Sequence, residues 1–558
     1  MLLAGLLTLG VALPFALGLA AGSQDIARMD DWVYRRIAMD LASRGVLSLH
    51  NVTTMLIGQI ILVQPFLKIF GVQSAAFSAF GVVSATGVVL ASYALARQFL
   101  APRRAALAAA TLLVFPGYLA YATSFMTDVP TLALAMTCLA LGVVALRHRP
   151  VRIRWLLASA AVGCLAFSIR EFAIAAPVAV LLAVVCAEPR RVQTWAVVLG
   201  AAGSCVLLVV LKSTLPGQDL GSPVGYVSTG VDLSQLVEAL ACVSLALLPA
   251  IIVALVRSRR SWRQADVVIG AELGIIVIAY QLFEWYQNGT IPVVFLNNLS
   301  NQRGVPGWQQ VLFGTRPLLF DDASWLVLSG IALVASVLGL IVVAGVAGSL
   351  IRRYKRSMPG AVKALGTPVG VVALFSCLFG LGVAVYGVHW AVADRYYWPL
   401  IPPAATLLLY LPAGLGSRSR LHSPMTGLRV AGPVAATFAG VTLVAVILML
   451  NSFAFDSARW RAGEQLAQLG VAPDELDAGY EWVGSHAPSL ANSVRPGFGL
   501  TFYEGYFSGY LACGVVSSDT WTEPGYELVG TESYSLNLIA GPTELLYLYR
   551  ATSPACAS

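Results

Sequence analysis

Asp30 and Asp31 are adjacent carboxylates followed by Trp32, Val33 and Tyr34. Adjacent acids can divide labour, one ionised as a general base and the other hydrogen-bonding a partner. The same pair also suits a helix N-cap with acidic first-turn residues. A further acid, Asp128, stands in Phe125-Met-Thr-Asp128-Val-Pro130, where it either caps the next helix or shares one surface with the first pair. Carboxylates on two loops can bracket an acceptor hydroxyl or hold a divalent cation, although no ligand spacing demands a metal. The cations form a third group. Arg170, beside Glu171, interrupts an apolar stretch, and Arg395 lies in His389-Trp-Ala-Val-Ala-Asp394-Arg395-Tyr396-Tyr-Trp398-Pro399. A guanidinium matches phosphate oxygens with two parallel hydrogen bonds, so both arginines are candidates for phosphate recognition, with Lys68 and His389 as helpers. The structural alternatives are an ion pair for Arg170 and an interfacial anchor for Arg395. No GxxxxGKS/T, GxSxG or HExxH occurs, which leaves ATP-driven and common hydrolase chemistry without support.

The elements that must carry these residues belong in a bilayer. Hydrophobic residues make up 58% of the 558 and charged ones 11%, against roughly 25% charged in soluble domains. The formal charge of +7 is not a nucleic-acid signature, because the basic residues sit in short runs between apolar stretches. About thirteen runs are long enough to act as helices in a membrane. They cover 1–22, 73–96, 105–122, 129–146, 155–169, 172–187, 193–211, 234–256, 265–286, 324–351, 366–391, 397–415 and 430–450, and the first lacks the basic start of a cleaved signal peptide.

Basic clusters at Arg97/Arg103/Arg104, Arg147–Arg154, Arg190/Arg191, Arg257–Arg263, Arg352–Arg356 and Arg418/Arg420 occupy alternate connections. The acidic loops occupy the others, so the positive-inside rule places Asp30, Asp128, Arg170, Arg395 and the C-terminal tail on the extracytoplasmic side. The outer loop 23–72 holds an amphipathic helix with Trp32, Tyr34, Ile37, Ala38 and Leu41 on one face, and then an apolar segment from Met55 to Phe70. Gln59, Gln64 and Pro65 make that segment a poor span and a good re-entrant or surface helix. The loop 287–323, with Trp308, reads as a lid or substrate wall.

From residue 456 the composition changes, with 12 acidic and 4 basic residues. Short strand-like runs and an aromatic cluster near Tyr503–Tyr510 predict a small mixed α/β domain over 456–558, after a membrane domain over 1–455. Six of the 8 cysteines lie in apolar runs, and Cys513 and Cys556 in the tail are candidates for one disulfide.

Taken together, these residues resemble the GT-C fold glycosyltransferases, in the group of the protein O-mannosyltransferases and the aminoarabinose transferase of lipid A. Asp30-Asp31-Trp-Val-Tyr34, the helix ending at Gly45, Lys68-Ile-Phe70-Gly71, the Asp128 motif, Arg170 and Asp394-Arg395-Tyr396 carry the likeness. The resemblance implies an all-α polytopic membrane protein with a small extracytoplasmic α/β domain, and a polyprenyl-phosphate-linked sugar as donor. It further implies a glycan, lipid or protein acceptor activated by Asp30 or Asp31, inversion at the anomeric carbon, and arginines on the leaving phosphate. Tyr34, Glu171 and Tyr396 complete the implied site. No nucleotide cofactor is required. The Lys-Pro-Pro element of the aminoarabinose transferases, expected near Thr53-Thr54, is absent, which leaves Lys68 as its substitute. A transporter of lipid-linked glycans is the alternative from another class; it predicts functional charges near mid-membrane. A non-catalytic scaffold is a third.

Overall fold

In the computed structural model, the apolar runs become helices and the tail supplies one small sheet. The structure describes residues 1–49, 54–216, 233–258, 262–288, 300–306, 312–354, 358–389, 393–415, 424–486, 512–522, 524–539, 541–553 and 556. Thr53, Arg259, Arg260, Trp308, Lys355, Arg356, Arg418, Arg420, Tyr503–Tyr510 and the side chain of His389 lie outside the described residues.

The helices that build the site are α1 (Leu2–Ala20), α2 (Asp31–Arg44), α3 (Ile57–Phe70), α4 (Ser74–Arg97), α5 (Pro102–Leu113), α6 (Asp128–Leu146), α7 (Ile153–Phe167) and α8 (Glu171–Ala187). They are followed by α9 (Val192–Thr214), α10 (Ser234–Ser258), α11 (Gln264–Asn288), α12 (Asp322–Tyr354), α13 (Pro368–His389), α14 (Ile401–Leu415), α15 (Pro424–Gln468) and α16 (Tyr480–His486). Among the described residues, nine helices are long and apolar enough to cross a membrane. α5, α7, α8 and α14 are shorter and account for the other four expected runs. On α9, Leu199, Val206 and Leu207 are exposed, as lipid-facing side chains are. α6 lies largely inside the bundle, packed on α4, α7, α8 and α13.

α2 is amphipathic only beyond its first turn. Asp31–Arg35 are buried on every side, Arg35 included because it pairs with Asp31. Farther along, Ile37 and Ala38 are buried, whereas Asp40 and Arg44 pair across one exposed turn at 3.6 Å. It stops at Gly45, whose φ of 69° is the left-handed conformation glycine adopts without a Cβ penalty. The glutamines that weaken α3 as a span point into the protein. Gln59 donates to the Phe125 carbonyl at 2.6 Å, and Gln64 donates to the Ala38 and Ile60 carbonyls at 3.3 and 3.0 Å. Gly81 of α4 lies so close to the Thr123 carbonyl that a Cβ has no room, and this brings the loop before Asp128 against the bundle.

The loops sort into two ends. At one, Arg149 donates to the Gly366 carbonyl at 2.8 Å, Arg191 to the Val151 carbonyl at 2.7 Å, and Arg352 forms two 2.7 Å bonds to Asp266. The acidic loops gather at the other. α15 runs 45 residues without a break, through residue 456 and on to Gln468, so the expected domain boundary falls inside a helix. Strands β1 (Leu476–Asp477), β2 (Gly514–Ser517), β3 (Tyr526–Ser535) and β4 (Thr543–Ala551) follow in the order β1-β2-β4-β3, with β1 and β2 parallel and the other pairs antiparallel. Cys513 and Cys556, the candidate pair, form a disulfide with Cα atoms 5.4 Å apart.

Candidate active site

Three breaks between helices meet at one place. Asp128 opens α6; its Oδ1 accepts a hydrogen bond from Arg170 Nη1, and its Oδ2 lies 3.8 Å from Arg395 Nε. The carboxylate is therefore used on side chains rather than as a helix cap. Arg170 sits in the short gap between α7 and α8, with its guanidinium 5.3 Å from the Phe172 ring centroid and 5.1 Å from that of Tyr396. Arg395 belongs to a 3-10 turn over Asp394–Leu400, and Asp394 Oδ2 anchors the incoming chain by accepting the Ser300 N–H at 3.2 Å.

Arg395 then reaches the first loop, donating from Nη2 to Asp30 Oδ2 at 3.3 Å. The other Asp30 oxygen accepts the Tyr480 hydroxyl at 3.2 Å. Burial distinguishes the two adjacent acids. The Asp30 side chain is 34% exposed, whereas that of Asp31 is fully buried and paired with Arg35 at 3.1 Å, one turn along α2. Tyr34 is buried beside the same groups, and burial, reinforced by Asp30, raises its phenol above its ordinary value.

The array alternates in sign: Asp30, Arg395, Asp128, Arg170. Burial on its own pulls the Arg395 guanidinium down, and Asp128 and Asp30 more than offset it, so the group is raised overall and stays charged. Burial also opposes the charge of Arg170, and Asp128 more than offsets it there too. Asp31 responds in the opposite sense: burial raises its carboxyl, with Arg35 opposing. Among the described residues, Arg395 Nη1 and Nε have no hydrogen-bond partner, so this guanidinium has donors to spare for an anionic ligand.

Of the residues expected at the site, Asp30, Tyr34, Asp128, Arg170, Arg395 and Tyr396 converge. Asp31 lies beneath them. Glu171 faces away and pairs with Lys212 at 3.3 Å. Lys68 is exposed in the last turn of α3, nine residues from Gln59, or about 14 Å along a helix rising 1.5 Å per residue. Among the described residues no group of three His, Cys, Asp or Glu side chains could hold a metal ion, and the site carboxylates face guanidinium and hydroxyl groups instead.

Sequence reasoning missed a second buried array under the first loop. Arg28 Nε lies 3.4 Å from Asp456 Oδ2; Arg459 bonds Asp456 Oδ1 at 3.1 Å and Glu481 Oε2 at 2.6 Å. Glu481 Oε1 in turn accepts the Met29 N–H at 2.7 Å, and Met29 has a φ of 52°. The available signal was Asp456 and Arg459, two ionisable residues soon after an apolar run.

Asp128 and Arg170 lie in a part of the chain that a family model matches. Residues 60–215 match the family model described as dolichyl-phosphate-mannose-protein mannosyltransferase. That match bears out the GT-C glycosyltransferase resemblance, whose Lys68–Gly71, Asp128 and Arg170 elements lie in this segment and whose Asp30-Asp31 and Asp394-Arg395-Tyr396 elements lie outside it. No curated protein matches the chain. Among solved structures, ArnT from Cupriavidus metallidurans in the apo state is 13% identical, over 98% of this chain and 98% of that one, with a TM-score of 0.40. The same protein bound to undecaprenyl phosphate is 12% identical over 97% and 98%, with a TM-score of 0.37. An Archaeoglobus fulgidus oligosaccharyltransferase tethered to an acceptor peptide is 12% identical over 84% of this chain and 58% of that one, with a TM-score of 0.41.

Proposed function

We propose that this chain is a membrane glycosyltransferase that moves a sugar from a polyprenyl-phosphate carrier to an acceptor hydroxyl at the extracytoplasmic surface. The observation that carries the reading is the Asp30–Arg395–Asp128–Arg170 array, with its one accessible carboxylate beside a guanidinium that keeps free donors.

Asp30 is the general base. A base must come within hydrogen-bond reach of the proton it removes, and Asp30 is the more accessible of the two adjacent acids. As the acceptor oxygen attacks the anomeric carbon, the bond from that carbon to the phosphate oxygen breaks and the proton passes to Asp30. Attack opposite the leaving group inverts the configuration. The bonding pair leaves with the polyprenyl phosphate, whose growing charge Arg395 and Arg170 stabilise. Asp128 fixes both guanidinium groups so that they need not reorganise during the step. Sidedness rests on the basic loops, which the positive-inside rule assigns to the cytoplasm at the end away from the array. The transporter reading has less support, because these charges collect where helices begin and end rather than midway along them.

The test uses the purified protein in lipid nanodiscs with a panel of short-chain polyprenyl-phosphate sugars and candidate acceptors, reading free polyprenyl phosphate. Release from one donor, lost in Asp30→Asn while donor binding persists, is the expected result. Full-rate release by Asp30→Asn would overturn the assignment of the base.

A further inference from the structure

The first loop and the tail are far apart in sequence, yet they make five contacts around Asp30. Tyr480 O–H donates to Asp30 Oδ1, and Glu481 accepts the N–H of Met29, the residue before Asp30. Trp32 meets the Tyr480 ring edge-on, with centroids 5.6 Å apart, and its indole packs on Gly484 so closely that a Cβ there has no room. Arg36 Nη1 donates to the Gly484 carbonyl at 3.0 Å. Glu481 is itself held by Arg459, which also holds Asp456, the partner of Arg28 on the first loop. Met29 keeps a positive φ that an L-residue with a side chain disfavours, so the loop needs external contacts to stay in this shape.

We infer that α16 is a positioning clamp for Asp30. Tyr480 orients the carboxylate, and the Glu481–Met29 bond with the Trp32–Gly484 contact fixes the backbone that carries it. The inference rests on the reading of Asp30 as the base and adds to it that the tail sets the geometry of that base. Arg395 holds one Asp30 oxygen and Tyr480 the other, so the two bonds fix the plane of the carboxylate. A base held a fraction of an ångström out of place loses rate without losing donor affinity.

Two measurements on the full chain in nanodiscs test the clamp. With short-chain polyprenyl-phosphate sugar as donor, Tyr480→Phe is expected to lower kcat about 10- to 100-fold, the worth of one hydrogen bond to a charged group, at unchanged donor KM. On the residual rate of Asp30→Asn, adding Tyr480→Phe is expected to cost nothing further, because Tyr480 acts through Asp30. An unchanged kcat in Tyr480→Phe, or the same loss in both backgrounds, overturns the orienting role. The second measurement is independent of turnover. Hydrogen exchange over residues 23–36 is expected to rise at least about tenfold in Gly484→Val, whose added side chain separates α16 from the rigid Trp32 indole. Exchange as slow as in the wild type overturns the clamp whether or not sugar transfer occurs. Full-rate transfer by Asp30→Asn, with faster exchange in Gly484→Val, would overturn the base assignment and leave the clamp standing.

Discussion

Asp128 is the shared counter-ion of two guanidinium groups, and replacing it should therefore cost more than replacing either arginine. Arg170 bonds one of its oxygens, and Arg395 lies 3.8 Å from the other. At an effective dielectric constant near 20, the longer pair alone carries about 4 kcal/mol of Coulomb attraction. Desolvation offsets much of that, and removing one partner of a buried pair costs about 3–5 kcal/mol net. Asp128→Asn leaves Arg170 with no acid partner among the described residues and Arg395 with Asp30 only. Arg170→Met leaves Asp128 still facing Arg395. The expected result is an unfolding equilibrium shifted by about two to four powers of ten in Asp128→Asn. The shift in Arg170→Met should be at least about tenfold smaller. Tryptophan fluorescence during sodium dodecyl sulfate titration of mixed micelles reads both. Polyprenyl phosphate should restore more stability to Asp128→Asn than to the wild type, because the anion takes the vacated counter-ion role. Equal costs for the two variants, or an Asp128→Asn shift under about tenfold, would refute the shared counter-ion.

Arg395→Ala is expected to weaken donor binding by about 10- to 100-fold through lost charge-assisted bonds, whereas Lys68→Ala, on the far turn of α3, should leave the Kd unchanged; isothermal titration with a short-chain polyprenyl phosphate separates the two, and equal losses would move the phosphate site toward α3. Burial raises the Asp31 carboxyl above its ordinary 3.8, and a carboxyl raised on folding contributes stability that is complete below its unfolded value and lost as pH rises through the folded one. The stability margin of the wild type over Asp31→Asn should therefore widen as pH falls from about 7 to about 4, and a margin that narrows contradicts the burial argument. The disulfide closes a loop of sequence separation 43, so Cys513→Ser/Cys556→Ser should lower the stability of the tail by up to about 4 kcal/mol. Non-reducing peptide mapping together with tail-specific hydrogen exchange checks this, and wild-type exchange in the variant counts against it.

The membrane helices were legible because the bilayer imposes length and apolarity on each one separately, and neither depends on what packs beside it. The site was legible where chemistry is unusual for its surroundings. Arg170 and Arg395 are conspicuous between apolar runs, and Asp128 and Asp30 begin helices. The choice between Asp30 and Asp31 was not legible, because it depends on which way α2 turns its first residue. Arg35 and Arg28 face Asp31 from the same stretch of chain, but the contact that holds Asp30, from Tyr480, comes from 450 positions away. Lys68 shows the opposite failure. Its charge was conspicuous, but α3 carries it along its axis away from the array. Tyr480 and Glu481 gave no local signal in a tail rich in both residue types.

The hydrogen bond from Met29 to Glu481 joins residues 452 positions apart. On a ribosome adding about 5–20 residues per second, the second partner emerges roughly 20–90 s after the first. For most of that interval Arg28 and the loop beside it lack both Asp456 and Glu481. A nascent chain thus has both Arg170 and Arg395 by residue 395, while Asp30 still lacks its bond from Tyr480. If Asp30 is the base as proposed, a chain stopped before residue 480 would carry the donor-side arginines without the contact that orients that base.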